Sequence, residues 1–424
     1  MSEFTEQNGV LHVEQVSLER IAEEVGTPAY VYSAAHIKGQ FDRLKGAMEK
    51  ALPADRQPLL CYACKANSNV AILKLLNNLG GGLEIVSEGE LRRGLKADFD
   101  ANKIVSTGVG KTTSEIKALL SAGVHQINIE SLPELHHIND IASEMKIAAD
   151  VVFRFNPNVS GGGHDKISTG RKEDKFGISE EKIYEGFALA QGMKYVNALG
   201  LSMHIGSQVF TVETFEDAFK TLPGVVGELR SRGFTVSRLD IGGGFPIQYQ
   251  DEDLLDLDAY AQWVNDIIVP LDTEIIMEPG RYLVGNSGVL LSTVEHVKPA
   301  EDRTFLVIDT AMNDLMRPSL YDAYHHIEPV THRDAPKTKY DVVGPICETG
   351  DTFSRGRELQ ETERGRLMAI RSTGAYGFCM SSNYNTRARP PEVLVNGDQY
   401  AIIRPRESVD DIIAQDHIPD WLID

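Results

Sequence analysis

Between residues 58 and 278 the chain alternates strictly between short apolar runs and longer amphipathic ones. Strand-like runs lie near 58–64, 82–86, 103–106, 126–129, 150–155, 198–204, 236–241 and 274–278. Helical patterns fill 35–50, 68–79, 88–97, 113–122, 131–145, 179–193, 213–232 and 254–269. Several open on a capping residue, such as Ser114, or Ser131 with Glu134 three positions on. This rhythm predicts an α/β fold, a (β/α)8 TIM-like barrel, with a doubly wound parallel sheet as the alternative.

The rhythm changes after about residue 283. Strand-like runs at 289–297, 305–309, 340–343, 367–371 and 393–395 are separated by turns, with short helices only near 314–324 and 408–414. That pattern predicts a second, β-rich domain. A polar helix at 17–25 and a strand at 29–32 precede the barrel. The expected organisation is therefore a barrel over 37–282 and a discontinuous domain made of 1–36 and 283–424.

Charge narrows the partners. With 62 acidic and 42 basic side chains the net charge is −20, which argues against a nucleic-acid-binding face. A small anionic ligand needs only two or three local cations and stays open. The first seven residues are polar and acidic, and the chain has no apolar run of about 18 residues. Neither a signal peptide nor a membrane span is expected. Four cysteines in 424 residues suit a reducing compartment, so the expected location is cytoplasmic.

In a barrel the chemistry sits at the C-terminal ends of the strands. Lys65 ends the first strand, His204 the sixth, Gly242, Gly243 and Gly244 the seventh, and Glu278, Pro279, Gly280 and Arg281 the eighth. A lysine there either reaches solvent or a carboxylate, or is a partly desolvated amine able to act as a Schiff-base nucleophile. The convergence of the other motifs on the same rim favours the second reading. The three glycines suit close backbone approach to a phosphate, as an anion-binding nest. Gly280 and Arg281 add donors, and Ser207 offers a hydroxyl. Glu278 reads either as a salt-bridge partner of Arg281 or as a carboxylate that keeps a pyridine nitrogen protonated. His204 is a stacking group for a cofactor ring or a core histidine. The glycine-rich stretch 156–176 follows the fifth strand and reads as a lid or an insertion.

Cys61 and Cys64 have C-x-x-C spacing, but strand parity puts them on opposite faces, and no second pair completes a metal site. Both are expected in the core, and no metal is expected. Cys347 lies in a polar turn beside Glu348, where an acid–base role competes with an inert thiol.

Taken together, Tyr62-Ala63-Cys64-Lys65-Ala66-Asn67, His204-Ile205-Gly206-Ser207-Gln208, Gly242-Gly243-Gly244-Phe245 and Glu278-Pro279-Gly280-Arg281-Tyr282 have a familiar order. So do Met316-Arg317-Pro318-Ser319-Leu320-Tyr321, Gly344-Pro345-Ile346-Cys347-Glu348, Gly374-Ala375-Tyr376-Gly377 and Met380-Ser381-Ser382-Asn383-Tyr384-Asn385. The set resembles the pyridoxal-phosphate-dependent decarboxylases of the alanine-racemase-like fold, in particular the branch acting on meso-2,6-diaminopimelate, over nearly the whole chain. The resemblance implies pyridoxal 5'-phosphate on Lys65, with His204 stacked on its ring and Glu278 at its nitrogen. Ser207, Gly242, Gly243, Gly244, Gly280 and Arg281 would hold its phosphate, with Tyr376 also at the cofactor. Substrate would meet Arg281, Arg317, Tyr321, Glu348 and Tyr376, and Cys347 would donate a proton.

The resemblance further implies a homodimer with shared active sites. Two arginines suit two carboxylates, and Glu348 suits a distal ammonium. This favours a diamino diacid over another basic amino acid such as D-ornithine or D-lysine, and the intact site residues favour an enzyme over a non-catalytic regulatory homologue. One position departs from the family pattern: Glu84 stands where aspartate is usual.

Overall fold

The computed structural model describes residues 3–159 and 175–423, so most of the expected lid, residues 160–174, lies outside the described residues. The chain forms two compact units: Lys38–Gln248 with Asp253–Leu283, and Met1–Ile37 with Tyr249–Glu252 and Val284–Asp424.

In the first unit eight described strands close a parallel barrel. They are β1 (Leu59–Ala63), β2 (Gly82–Ile85), β3 (Ile104–Ser106), β4 (Gln126–Ile129), β5 (Ala149–Arg154), β6 (Val196–Ser202), β7 (Arg238–Asp240) and β8 (Glu274–Met277). Closure is made by Leu59 and Leu60 of β1 against Ile276 and Met277 of β8, which rules out the doubly wound alternative. Helices follow the strands because apolar residues recur at helical spacing, and a side-chain cap starts several of them. Asn69 caps Val70–Asn78, Ser87 caps Glu88–Lys96 and Ser131 caps Leu132–Met145. The expected cap at Ser114 is instead Thr112, which forms a full capping box with Glu115. Ser131 caps alone, since the Glu134 carboxylate accepts from Lys111 and from the Glu130 N–H.

Two helices read as single runs are broken. The stretch 213–232 is two helices, Val212–Phe219 and Leu222–Ser231, because Pro223 cannot donate an N–H and must sit in a first turn. The stretch 254–269 begins at Leu257 and passes at Val264–Ile268 into a π turn before Pro270.

The second unit is built on the long strand Gly288–Pro299, which pairs with Ala29–Ser33, Thr304–Ile308 and Leu367–Ile370. The sheet runs in the order Thr352–Gln360, Lys337–Val343, Thr304–Ile308, Gly288–Pro299, Ala29–Ser33, Glu392–Asn396, Gln399–Arg404. A small sheet of Phe4–Gln7, Val10–Val13 and Val16–Ser17 supplies Phe4, Leu11, Val13 and Val16 to the same core as Val31, Val289, Leu291 and Val393. The expected helix near 314–324 is a single turn, Arg317–Tyr321.

Candidate active site

Strand alternation sends Ile127 and Ile129 of β4 one way and Gln126 and Asn128 the other, and the second pair crosses the barrel. Both amides donate to Asp240 Oδ2 of β7, each at 3.4 Å, and Asn128 also donates to Thr107 at 3.1 Å. Thr107 in turn donates to Glu278 Oε1 at 3.4 Å. Burying so many polar groups is tolerable because they bond one another. Asp240 and Glu278 share a hydrogen bond; desolvation by burial raises both carboxyls, Asp240 to about 6 and Glu278 well above the usual range. The charges of Asp240 and Glu84 push Glu278 further. Glu278 is therefore biased towards its protonated form, and a hydrogen bond joins it to Asp240.

Lys65 lies in the single turn Cys64–Ala66 that follows β1. Its Nζ donates to Glu84 Oε2 at 3.0 Å. Glu84 is on β2, its Cα paired with that of Ala63, and its side chain is wholly buried. The longer glutamate thus reaches the Lys65 amine directly. Its other oxygen, Oε1, is buried with no hydrogen-bond partner among the described residues. Cys61 and Cys64 are buried and in no disulfide, core positions as expected, but parity is only part of the reason, since Cys64 already belongs to the turn. Burial raises the Cys61 thiol well above its normal range, which leaves it unreactive.

The turns after β6, β7 and β8 interlock. Arg281 donates through Nε and Nη2 to Ser207 Oγ at 3.3 and 3.2 Å. Gln208, in the left-handed region at φ +64°, exchanges two hydrogen bonds with the Ile247 backbone, at 3.0 and 2.8 Å. Gly242 donates to Asp240 Oδ1 at 3.0 Å and Gly243 to His204 Nδ1 at 3.3 Å. Two N–H groups of the expected anion nest are therefore spent inside the turn. What demands glycine here is closeness: a Cβ on Gly242 would lie 2.3 Å from Met203 O, and one on Gly243 2.1 Å from Glu278 O. Phe245 anchors the turn against Tyr260, Phe215 and Tyr282, with ring centroids 5.0, 5.9 and 6.0 Å away. Each such pair contributes about 0.5–1.5 kcal/mol. His204 accepts at Nδ1; desolvation, with Lys65 and Arg154 adding, holds its pKa well below the imidazole range, so the ring is neutral. Gly280 packs against β1, where a Cβ would meet Ala63 Cβ at 3.0 Å.

The remaining predicted residues belong to the β-rich unit. Arg317 is buried, its Nη1 2.9 Å from His325 Nε2 and its guanidinium 4.7 Å over the Tyr249 ring. Tyr321 ends the same helical turn. Cys347 and Glu348 are exposed, and Tyr384 donates to Glu348 Oε2 at 2.9 Å. Cys347 N–H reaches Asn385 Oδ1 at 3.5 Å. Tyr376 is held at φ +55°, a conformation costly for a residue with a Cβ, by about 1–3 kcal/mol. Sequence reasoning assigned no role to Asp240, Gln208, Tyr249 or His325. Gln208 stands inside a quoted motif and Asp240 just before the glycines; Tyr249 and His325 carry no local signal.

The chain matches the family described as pyridoxal-dependent decarboxylase, pyridoxal binding domain, over residues 35–285. It is 44% identical to the diaminopimelate decarboxylase of Pseudomonas aeruginosa, over 98% of both chains. It is similar to the crystal structure of diaminopimelate decarboxylase from Helicobacter pylori complexed with L-lysine (TM-score 0.89, 38% identity, 94% of this chain and 98% of that one). The diaminopimelate decarboxylase of M. jannaschii in complex with L-lysine matches at TM-score 0.93 and 36% identity, over 99% of this chain and 98% of that one. With a lysine, a buried imidazole and a buried glutamate at the strand ends of its barrel, the chain belongs to the diaminopimelate decarboxylase family of pyridoxal-dependent decarboxylases.

Proposed function

We propose that the protein decarboxylates meso-2,6-diaminopimelate to L-lysine and CO2 with pyridoxal 5'-phosphate as cofactor. The observation that carries this is the Lys65 amine at the barrel mouth on the buried carboxylate of Glu84. The residues present fit the cofactor. Glu84 Oε1 is an orphaned buried acceptor, burial disfavours the charged form of Glu278, and Ser207 with Arg281 forms a donor pair suited to a phosphate. Lys65, His204, Ser207, Gly242, Gly243, Gly244, Glu278, Gly280, Arg281 and Tyr376 are the residues assigned to hold it. When bound, the cofactor supplies an electron sink for the pair released as CO2 leaves.

The protein's own groups do the rest. Lys65 is the anchoring amine, aimed by its hydrogen bond to Glu84. Burial, and after it the charge of Asp240, disfavour ionisation of Glu278 and bias it towards carrying a proton. Neutral His204 presents an uncharged face that does not repel a cationic ring. Arg281 offers a fixed cation for the carboxylates it meets. In the β-rich unit Arg317, with Tyr321, takes the distal carboxylate of the substrate, and Glu348, braced by Tyr384, takes the distal ammonium. Cys347, exposed beside Glu348, returns a proton to carbon.

The substrate reading is tested by incubating the cofactor-loaded protein with meso-diaminopimelate, D-lysine and D-ornithine while following CO2 and lysine. Release of CO2 and L-lysine from the diamino diacid is expected; turnover of only a monocarboxylic substrate would sink it. The same reading includes a homodimer with shared sites, measured by light scattering on the eluting protein. It also includes a cytoplasmic location, which four cysteines outside any disulfide suit.

A further inference from the structure

The buried histidine of the β-rich unit, His325, has a fixed chemical state. Its Nδ1 lies 2.8 Å from the carbonyl oxygen of Arg371, which only accepts, so Nδ1 carries the hydrogen. Its Nε2 lies 2.9 Å from Arg317 Nη1, which only donates, so Nε2 must be the lone-pair nitrogen. Both ring nitrogens are used, and the ring is the neutral Nδ1–H tautomer. Only 2% of the residue is exposed. The Tyr249 ring stands edge-on to the imidazole at 5.5 Å and lies under the guanidinium at 4.7 Å.

An imidazole lone pair and a ring face both orient a guanidinium without neutralising it. A carboxylate in either place would orient it equally well and cancel part of its charge. Neither of these two contacts cancels the charge of the guanidinium.

We propose that His325, seconded by Tyr249, is a positioning residue that fixes the Arg317 guanidinium for the substrate's distal carboxylate. This rests on the reading of Arg317 as the group that takes that carboxylate. His325 does not touch substrate; it sets how tightly substrate and the retained carboxylate of the product L-lysine are held.

Two substitutions separate this role from plain structural support. In His325→Gln the side-chain oxygen replaces the Nε2 acceptor; in His325→Asn the amide nitrogen replaces the Nδ1 donor to Arg371, and the Nε2 acceptor is lost. With cofactor-loaded enzyme, His325→Asn is expected to raise both KM for meso-diaminopimelate and the dissociation constant of L-lysine roughly 10-fold, with kcat changed by less than about 3-fold. His325→Gln should stay within about 3-fold of the parent in all three. Tyr249→Leu, which spares His325, should raise the same two constants about 3-fold and serves if His325→Asn fails to fold.

The proposal is overturned if His325→Asn binds L-lysine like the parent, if Asn rescues and Gln does not, or if kcat falls while KM holds. Arg317→Ala distinguishes the two levels. If that variant loses L-lysine affinity and His325→Asn does not, only the positioning role fails. If Arg317→Ala leaves L-lysine binding intact, the reading beneath it fails and takes the proposal with it.

Discussion

Inside the barrel three carboxylates, Glu84, Asp240 and Glu278, are buried together, and the Lys65 amine is bonded to one of them. In the β-rich unit a buried cation, Arg317, is held by an imidazole and a phenol ring. The first arrangement crowds like charges, so one acid must keep its proton and the lysine is drawn to another. The second arrangement steers a cation through two groups that carry no charge themselves. The cysteines repeat the contrast: Cys61 is buried with its thiol pushed well up, whereas Cys347 is exposed beside Glu348. Burial in the barrel sets the protonation state of the groups assigned to the cofactor. On the β-rich unit, turns present the groups assigned to the substrate.

The largest test of this division is Lys65→Ala. Loss of the anchoring amine is expected to lower kcat by about 10³-fold or more and to abolish borohydride trapping of cofactor on the chain. Label on another lysine would overturn the assignment. Glu278→Gln comes next. It keeps a neutral group of the same shape but cannot yield a proton, so kcat should fall by roughly 10²–10³-fold. The unfolding temperature of the cofactor-free protein should not fall, because the parent side chain is already uncharged there. A matching loss of stability would mean that Glu278 is ionised in the barrel. Arg317→Ala probes the other unit, and its signature is different. KM for meso-diaminopimelate should rise about 10²-fold, more than kcat falls, because a charged hydrogen-bond partner of the substrate is removed.

Much of this was legible beforehand in the barrel and little of it in the β-rich unit. Barrel strands alternate regularly with helices, so they stand out as short, mostly apolar runs at even spacing, and the residues at their ends follow from the fold rule. The strand Thr352–Gln360, with sequence Thr-Phe-Ser-Arg-Gly-Arg-Glu-Leu-Gln, is largely polar and only partly buried, and it carries no such mark. Phe4–Gln7 is hidden for the same reason, whereas in Gln399–Arg404 the apolar run Tyr400-Ala401-Ile402-Ile403 was an unused signal. Glu84 could have been paired with Lys65 from sequence, since adjacent parallel strands put it beside Ala63. Tyr249 and His325 could not, because their meeting with Arg317 depends on a fold that joins residues 76 positions apart (325 minus 249). Pro223 was the unused signal for the broken helix.

The smallest expected effect concerns a carboxylate at the barrel's edge. Glu90, on the helix Glu88–Lys96 after β2, accepts from the Val86 N–H at 2.7 Å. Desolvation raises it to about 7, with the Glu84 charge adding and Lys65 and Arg93 opposing. A carboxyl whose folded pKa lies above its unfolded value favours the folded state while protonated. That contribution is complete below about 4.5 and is lost as pH rises through about 7, on the order of 2–3 kcal/mol in all. The cofactor-free protein should therefore unfold at lower temperature at pH 8 than at pH 5 through this group. Glu90→Gln keeps an oxygen for the Val86 N–H and cannot ionise. It should raise the unfolding temperature by about 2–4 °C at pH 8 and leave it unchanged at pH 5. In a Lys65→Ala background the gain at pH 8 should grow, since Lys65 is one of the two cations that ease the charge on Glu90. Equal gains at both pH values would mean that Glu90 titrates normally, and that acid crowding does not extend from Glu84 to the helix beside it.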